Sequence, residues 1–184
     1  MSNTLVVFYS YSGTCRRVAQ LLASHHGWAL GEIRDARPRS GFTGDLRCLL
    51  DSLLRRWPAI RYEGPAPADF DAVVIVSPIW AAQMAGPMRT FLAENAGQLR
   101  RVAQITVMNA TSAANAVSEA TRLLQRPPVL TTELLTHDIE DGSATKELLA
   151  FGDALASAAL LPPSDREAAG APPGNRPNLP AASV

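Results

Sequence analysis

The chain has 184 residues, with 17 basic and 17 acidic side chains and no formal net charge. That length suits one domain with a real core and is short for two. Apolar residues make up 47% of the chain and charged ones 18%, which excludes a disordered polyelectrolyte; no apolar run approaches the roughly 20 residues of a membrane helix.

The first residues, Met1-Ser2-Asn3-Thr4, carry no basic n-region, so no signal peptide is expected and the expected compartment is cytoplasmic. Thr4 to Ser10 is a β-rich, nearly continuous apolar run, as suits a strand buried on both faces. Five small or polar residues follow, then Val18, Leu21 and Leu22 at helical spacing up to Gly27, a natural stop. A weaker strand over Trp28 to Arg34 leads into an irregular stretch, Asp35 to Gly44. Leu46, Leu49, Leu50, Leu53, Leu54 and Trp57 then share one helix face, capped by Asp45 and stopped before Pro58.

The strongest strand signal is Ala72 to Ser77, followed by a loop from Pro78 to Gly86 and a helix opened by Pro87 with Met88, Phe91 and Leu92. Val102 to Met108 is a fourth strand. Ser112 can cap a helix carrying Val117, Ala120, Leu123 and Leu124. A fifth strand over Val129 to Thr136 precedes a last helix from Ser143 to Leu160. Five alternations of strand and helix point to an α/β, doubly wound parallel sheet in a single domain over residues 1–161. Residues 162–184 are rich in Pro, Ala and Gly without periodicity and are expected to be a disordered tail.

In an open parallel sheet, ligands bind beyond the carboxyl ends of the strands. Three loops leave such ends. The first, Ser10-Tyr-Ser12-Gly13-Thr14-Cys15, joins hydroxyls, a glycine for close backbone approach and a helix start, which together make a phosphate cradle. Arg16 and Arg17 oppose the helix dipole in that first turn unless an anion sits there. The plain alternative is a strand-to-helix turn capped by Thr14. The loop is neither a nucleotide-triphosphate P-loop nor a G-x-G-x-x-G turn. The second loop carries Trp80 among small residues, which suits a flat ring, or simply the core. The third, Asn109-Ala-Thr111-Ser112-Ala113, offers an amide and hydroxyls at a helix start.

At these residues the chain resembles a known family. Phe8-Tyr-Ser-Tyr-Ser-Gly-Thr-Cys-Arg-Arg-Val-Ala19, with Asp71-Ala-Val-Val-Ile-Val-Ser-Pro-Ile-Trp80, Gly86-Pro87, Phe91-Leu92 and Arg39-Ser-Gly-Phe-Thr-Gly44, looks like a short-chain flavodoxin-like protein over residues 4–160. The resemblance implies a five-stranded sheet of order 2-1-3-4-5 and FMN at the switch point between strands one and three. It assigns Ser10, Ser12, Gly13, Thr14 and Cys15 to the phosphate, and Pro78, Ile79, Trp80 and Ala81 to the flavin ring. Asn109, Thr111, Ser112 and Ala113 take the third loop's place. Cys15 stands where the family commonly has Thr, and Ala110 and Ala113 stand where relatives often have Gly.

The function so implied is a flavin redox protein, either transferring electrons between proteins or reducing a small acceptor such as a quinone with NAD(P)H. An alternative is a binding or regulatory module of this fold that has lost flavin. The partners implied are a redox protein or a small-molecule acceptor, with a homo-oligomer open. A phosphorylatable receiver is set aside, because Ser10 and Ser77 stand where it needs acids. Residues 1–61 hold nine arginines against four acids, but no aromatic platform or recognition motif accompanies them, so nucleic acid is not expected. No membrane partner is expected. Cys15 and Cys48 form no C-x-x-C, and no histidines stand at metal-ligand spacing, so neither a disulfide framework nor a metal site is expected. His25 and His26 favour the first helix's dipole, and His137 has no evident partner.

Overall fold

A computed structural model describes residues 3–36, 57–80, 82–109 and 114–160. The predicted second helix up to Arg56, with Cys48, all of the irregular stretch past Ala36, Ala81, Ala110 to Ala113 and the tail lie outside the described residues. Trp57, expected on that helix's apolar face, is described, is not helical and is 54% exposed.

The first strand, β1 (Thr4–Tyr9), is buried at every position. Its side chains alternate between two cores, with Leu5, Val7 and Tyr9 in one and Val6 and Phe8 in the other. This is why the sequence reads as continuously apolar rather than alternating. The helix α1 (Thr14–His26) follows and stops at Gly27, whose left-handed φ of 65° lets its N–H bond the carbonyl of Ala23. The chain returns as β2 (Ala29–Asp35), parallel to β1.

The sheet grows outward from β1 by parallel pairing. β4 (Ala72–Trp80) lies on the other side of β1, β6 (Val102–Met108) lies beside β4, and β7 (Leu130–Leu135) lies beside β6. The expected five strands are seven among the described residues. β3 (Ile60–Glu63) adds antiparallel to β2, giving the order β3-β2-β1-β4-β6-β7. The two-residue β5 (Gln83–Met84) pairs only with the end of β4. β3 alternates between half-buried and exposed residues, as a short edge strand should, and its four residues after Pro58 are too few to show a period.

Helices cover both faces. α2 (Gly86–Asn95) and α3 (Ala114–Leu124) pack on the face of Leu5, Val7 and Tyr9; α1 and α5 (Thr145–Leu160) pack on the face of Val6 and Phe8. The single last helix expected from Ser143 is two, because the short α4 (Thr136–Glu140) runs directly out of β7. His137 pairs there with the adjacent Asp138, at 2.9 Å.

A charged pair lies inside the α2–α3 layer. Arg89 is fully buried and Glu119 is 5% exposed, with the Arg89 Nε 2.7 Å from a Glu119 carboxylate oxygen. The same guanidinium donates to the Met84 carbonyl at 3.0 Å, tying β5 to both helices. No described helix is long and apolar enough to cross a membrane.

Candidate functional site

The carboxyl ends of β1, β4 and β6 converge on one cleft. From the first loop it takes Ser10, Tyr11, Ser12, Thr14 and Cys15. The end of β4 contributes Pro78, Ile79 and Trp80, and the end of β6 contributes Asn109. Three separate stretches of sequence are thus brought together by strand order alone. Ala81, Thr111, Ser112 and Ala113 lie outside the described residues.

The first loop turns on Gly13, which takes φ +99° and serves as the N-cap of α1. That conformation is strained for any residue with a Cβ, although an added Cβ would meet no atom within 4 Å. The Ser10 hydroxyl accepts the Gly13 N–H at 3.1 Å, which closes the turn. Ser12 and Thr14 share a hydroxyl hydrogen bond of 3.2 Å. No side chain caps α1, and its first turn holds no acid. The plain turn capped by Thr14 is therefore not what forms: Gly13 holds the cap position, and Thr14 is the first helical residue. The helix dipole and its free N–H groups face the loop without an internal acceptor.

Cys15 is 2% exposed. Burial pushes its thiol up to about 12, against a smaller opposing backbone hydrogen bond, so it is a neutral packing group and no thiolate nucleophile near neutral pH.

Two expectations need correction. Arg16 does not turn toward the loop; its guanidinium bonds Glu32 on β2 and stacks over Phe8 at 5.9 Å. Arg34 joins Glu32 from the other side at 3.1 Å. Partial burial opposes ionisation of Glu32, but these two partners outweigh it and hold the carboxyl below its ordinary range. Arg17 is exposed, borders Leu21 and Ile139, and is not among the residues lining the cleft. An anion in this loop would thus meet backbone N–H groups and hydroxyls rather than arginine.

The second correction concerns Trp80. Pro78, Ile79 and Trp80 are not in a loop; they extend β4, which folds back so that Ile79 pairs with Met84 and Trp80 with Gln83. The turn places Ala82 at φ +59°, a conformation with no glycine or asparagine to announce it. Trp80 is half-buried, and the Tyr11 ring meets it edge-on at a centroid distance of 5.4 Å. A ring rising from the first loop and one from the β4 hairpin thus form one aromatic wall.

Four lining residues had no assignment from sequence: Tyr11, Thr136, and Val107 and Met108 at the end of β6. Tyr11 was visible as an aromatic inside the phosphate-type loop, and that was the available signal. Thr136 enters from the end of β7, where its hydroxyl donates to the Met108 carbonyl at 3.3 Å. Nothing local marks it, because only the pairing of β7 with β6 brings it near.

No family model matches the chain, and no curated relative matches it. Solved structures do. A flavoprotein from Lactobacillus acidophilus NCFM in complex with FMN is 19% identical, covers 80% of this chain and 99% of its own, and superposes with a TM-score of 0.64. An NADH:FMN oxidoreductase in its apo form is 13% identical over 90% of this chain and 94% of its own, with a TM-score of 0.55. A Fusobacterium nucleatum flavodoxin bound to flavin mononucleotide is 6% identical over 85% and 98%, also at 0.55. At such identities the likeness is one of fold: the chain has a flavodoxin-like fold.

Proposed function

We propose that the chain is an FMN-binding redox protein whose cofactor lies in the cleft between the first loop and the β4 hairpin. One observation carries the reading: α1 has no side-chain cap, and its first residues, Thr14 and Cys15, line the cleft that also holds Trp80 and Asn109. The residues fit the group. Backbone N–H groups at Thr14 and Cys15, with the hydroxyls of Ser12 and Thr14, would take the phosphate, while the Gly13 N–H stays on Ser10. Trp80 and Tyr11 would flank the flavin ring, and Asn109 would meet its polar edge. FMN supplies the electron transfer when bound; the protein binds it, orients it and limits its contact with water.

Charge supports a small acceptor in this reading. A chain with no net charge offers little long-range attraction to a basic protein partner, which supports reduction of a small acceptor, such as a quinone with NAD(P)H as donor. The test is direct: the purified protein should be yellow or become so with FMN, and acid release should yield FMN by mass. A colourless protein that takes up no FMN at saturating concentration would leave the fold without this function.

Trp80→Ala should weaken FMN binding by roughly tenfold, given about 1–3 kcal/mol for a stacked ring. The fold should survive, since the side chain is half-buried at the end of a hairpin. Circular dichroism and a flavin titration on the same sample separate the two roles. An unfolded variant, or one binding as tightly as the parent, would place Trp80 in the core instead.

A further inference from the structure

We propose that His25, His26 and Asp153 form a surface site for one divalent transition-metal ion of the zinc class, where the end of α1 meets α5. It is the one group of three or more metal-ligating side chains among the described residues whose ligand atoms lie close together, all within 4.8 Å of one another. The two histidines are adjacent in sequence and Asp153 comes from 127 positions further on, so sequence spacing alone conceals the set.

The geometry of His26 is fixed before any ion arrives. Its ring stacks on Trp28 at 4.5 Å and 21°, and its side chain is only 9% exposed. The Nε2 edge lies against Gly152, where a Cβ would come within 2.1 Å of that nitrogen. Gly152 is therefore the residue that lets the ring lie against α5. In that pose Nδ1 stands 4.0 Å from the Asp153 carboxylate, and Nε2 has no hydrogen-bond partner among the described residues. A separation of 4.0 Å is too long for a hydrogen bond. Two ligands about 2.0–2.2 Å from a shared tetrahedral ion stand about 3.3–3.6 Å apart, so a small inward rotation of the exposed Asp153 side chain closes the gap.

The other two ligands are placed for access. The Asp153 side chain is 70% exposed, and the exposed His25 ring meets His26 edge-on at 4.8 Å. Closing onto an ion needs only rotation of these exposed groups, with water filling the remaining positions. The site also sits at the carboxyl end of a 13-residue helix, where the dipole favours a cation. Two imidazoles and one carboxylate suit zinc, nickel or copper, and are poor ligands for magnesium or calcium. Helix length puts this end about 20 Å from Gly13, so the site is separate from the cofactor cleft.

The test uses untagged full-length protein. Zinc should bind with a stoichiometry of one in calorimetry, and nickel should quench the fluorescence of Trp28 with the same saturation. His25→Asn and Asp153→Asn each remove an exposed ligand and should leave the metal-free melting temperature unchanged. Each should weaken zinc binding by about tenfold or more, the least that loss of even an outer-shell partner produces. His137→Asn, the remaining histidine, should bind as the parent does. Absent or multiple weak binding would overturn the site, as would equal affinity in parent and the two variants, or loss of binding in His137→Asn.

Discussion

Replacing Arg89 by Met should destabilise the protein by about 3–5 kcal/mol, the cost of stranding a buried charge without its partner. Arg89 is fully buried, and its guanidinium holds both oxygens of Glu119, at 2.7 Å and 3.2 Å. Without it, the remaining cation paired with Glu119 among the described residues is Arg122, whose nearest nitrogen is 3.7 Å away on a largely exposed side chain. That contact is too wet to replace the lost one, so the expectation stays within the stated range rather than near zero. The Met84 carbonyl also loses a donor, which should loosen the β4–β5 hairpin. The double variant Arg89→Met, Glu119→Leu should recover most of the loss, because two apolar side chains of similar size strand no charge. Urea unfolding of the parent, both single variants and the double variant gives the coupling directly. A single-variant loss below about 1 kcal/mol would mean that water reaches the pair.

FMN should bind at least a hundredfold more tightly than riboflavin, which has the same ring and no phosphate. A hydrogen bond to a charged group is worth about 1.5–3 kcal/mol, so losing two of them spans about 3–6 kcal/mol. At about 1.4 kcal/mol per factor of ten, that is a ratio of roughly 10² to 10⁴. The ratio should depend only weakly on salt, because Arg16 is held by Glu32 and the loop offers backbone dipoles rather than mobile cations. Gly13→Val should collapse the ratio by weakening FMN far more than riboflavin. Its Cβ would meet no neighbour, so the cause would be the backbone, which a β-branched residue disfavours at φ +99°. Equal affinities in a fluorescence titration would remove Ser10 to Cys15 from the cofactor's phosphate.

What was legible in the sequence is what local physics determines. β1 and the core of β4 show as apolar runs because both faces of a central strand are buried, and Gly27 marks the end of α1 because only a left-handed residue closes that turn. The loop of Ser10 to Cys15 was readable because hydroxyls, glycine and a helix start are contiguous. The hairpin was not: Pro78 reads as a strand breaker, yet it pairs in register with Val107, at the point where β4 leaves the sheet. Its missing N–H costs little there, and its carbonyl still accepts from Ala85 at 3.3 Å. Arg16 misled because a first-turn cation has two ways to find an anion, and Glu32 on the neighbouring strand is within its reach. Arg89 and Glu119 are 30 positions apart on two helices, where either alone reads as a solvated charge.

The place of β1 in the sheet also governs how the chain must be made. Both neighbours of β1 come later: Leu5 pairs with Ala29, but Thr4 waits for Ala72 and Phe8 for Val76. At roughly 5–20 residues per second, translation leaves that second edge open for several seconds after β1 has emerged. Closing so long a loop carries an entropic cost that only β4 can offset, so productive folding is expected to begin after residue 80 has left the ribosome. Until then a strand that is buried at every position in the folded protein is exposed nascent chain, and the protein is expected to depend on holdase chaperones during synthesis more than its small size suggests.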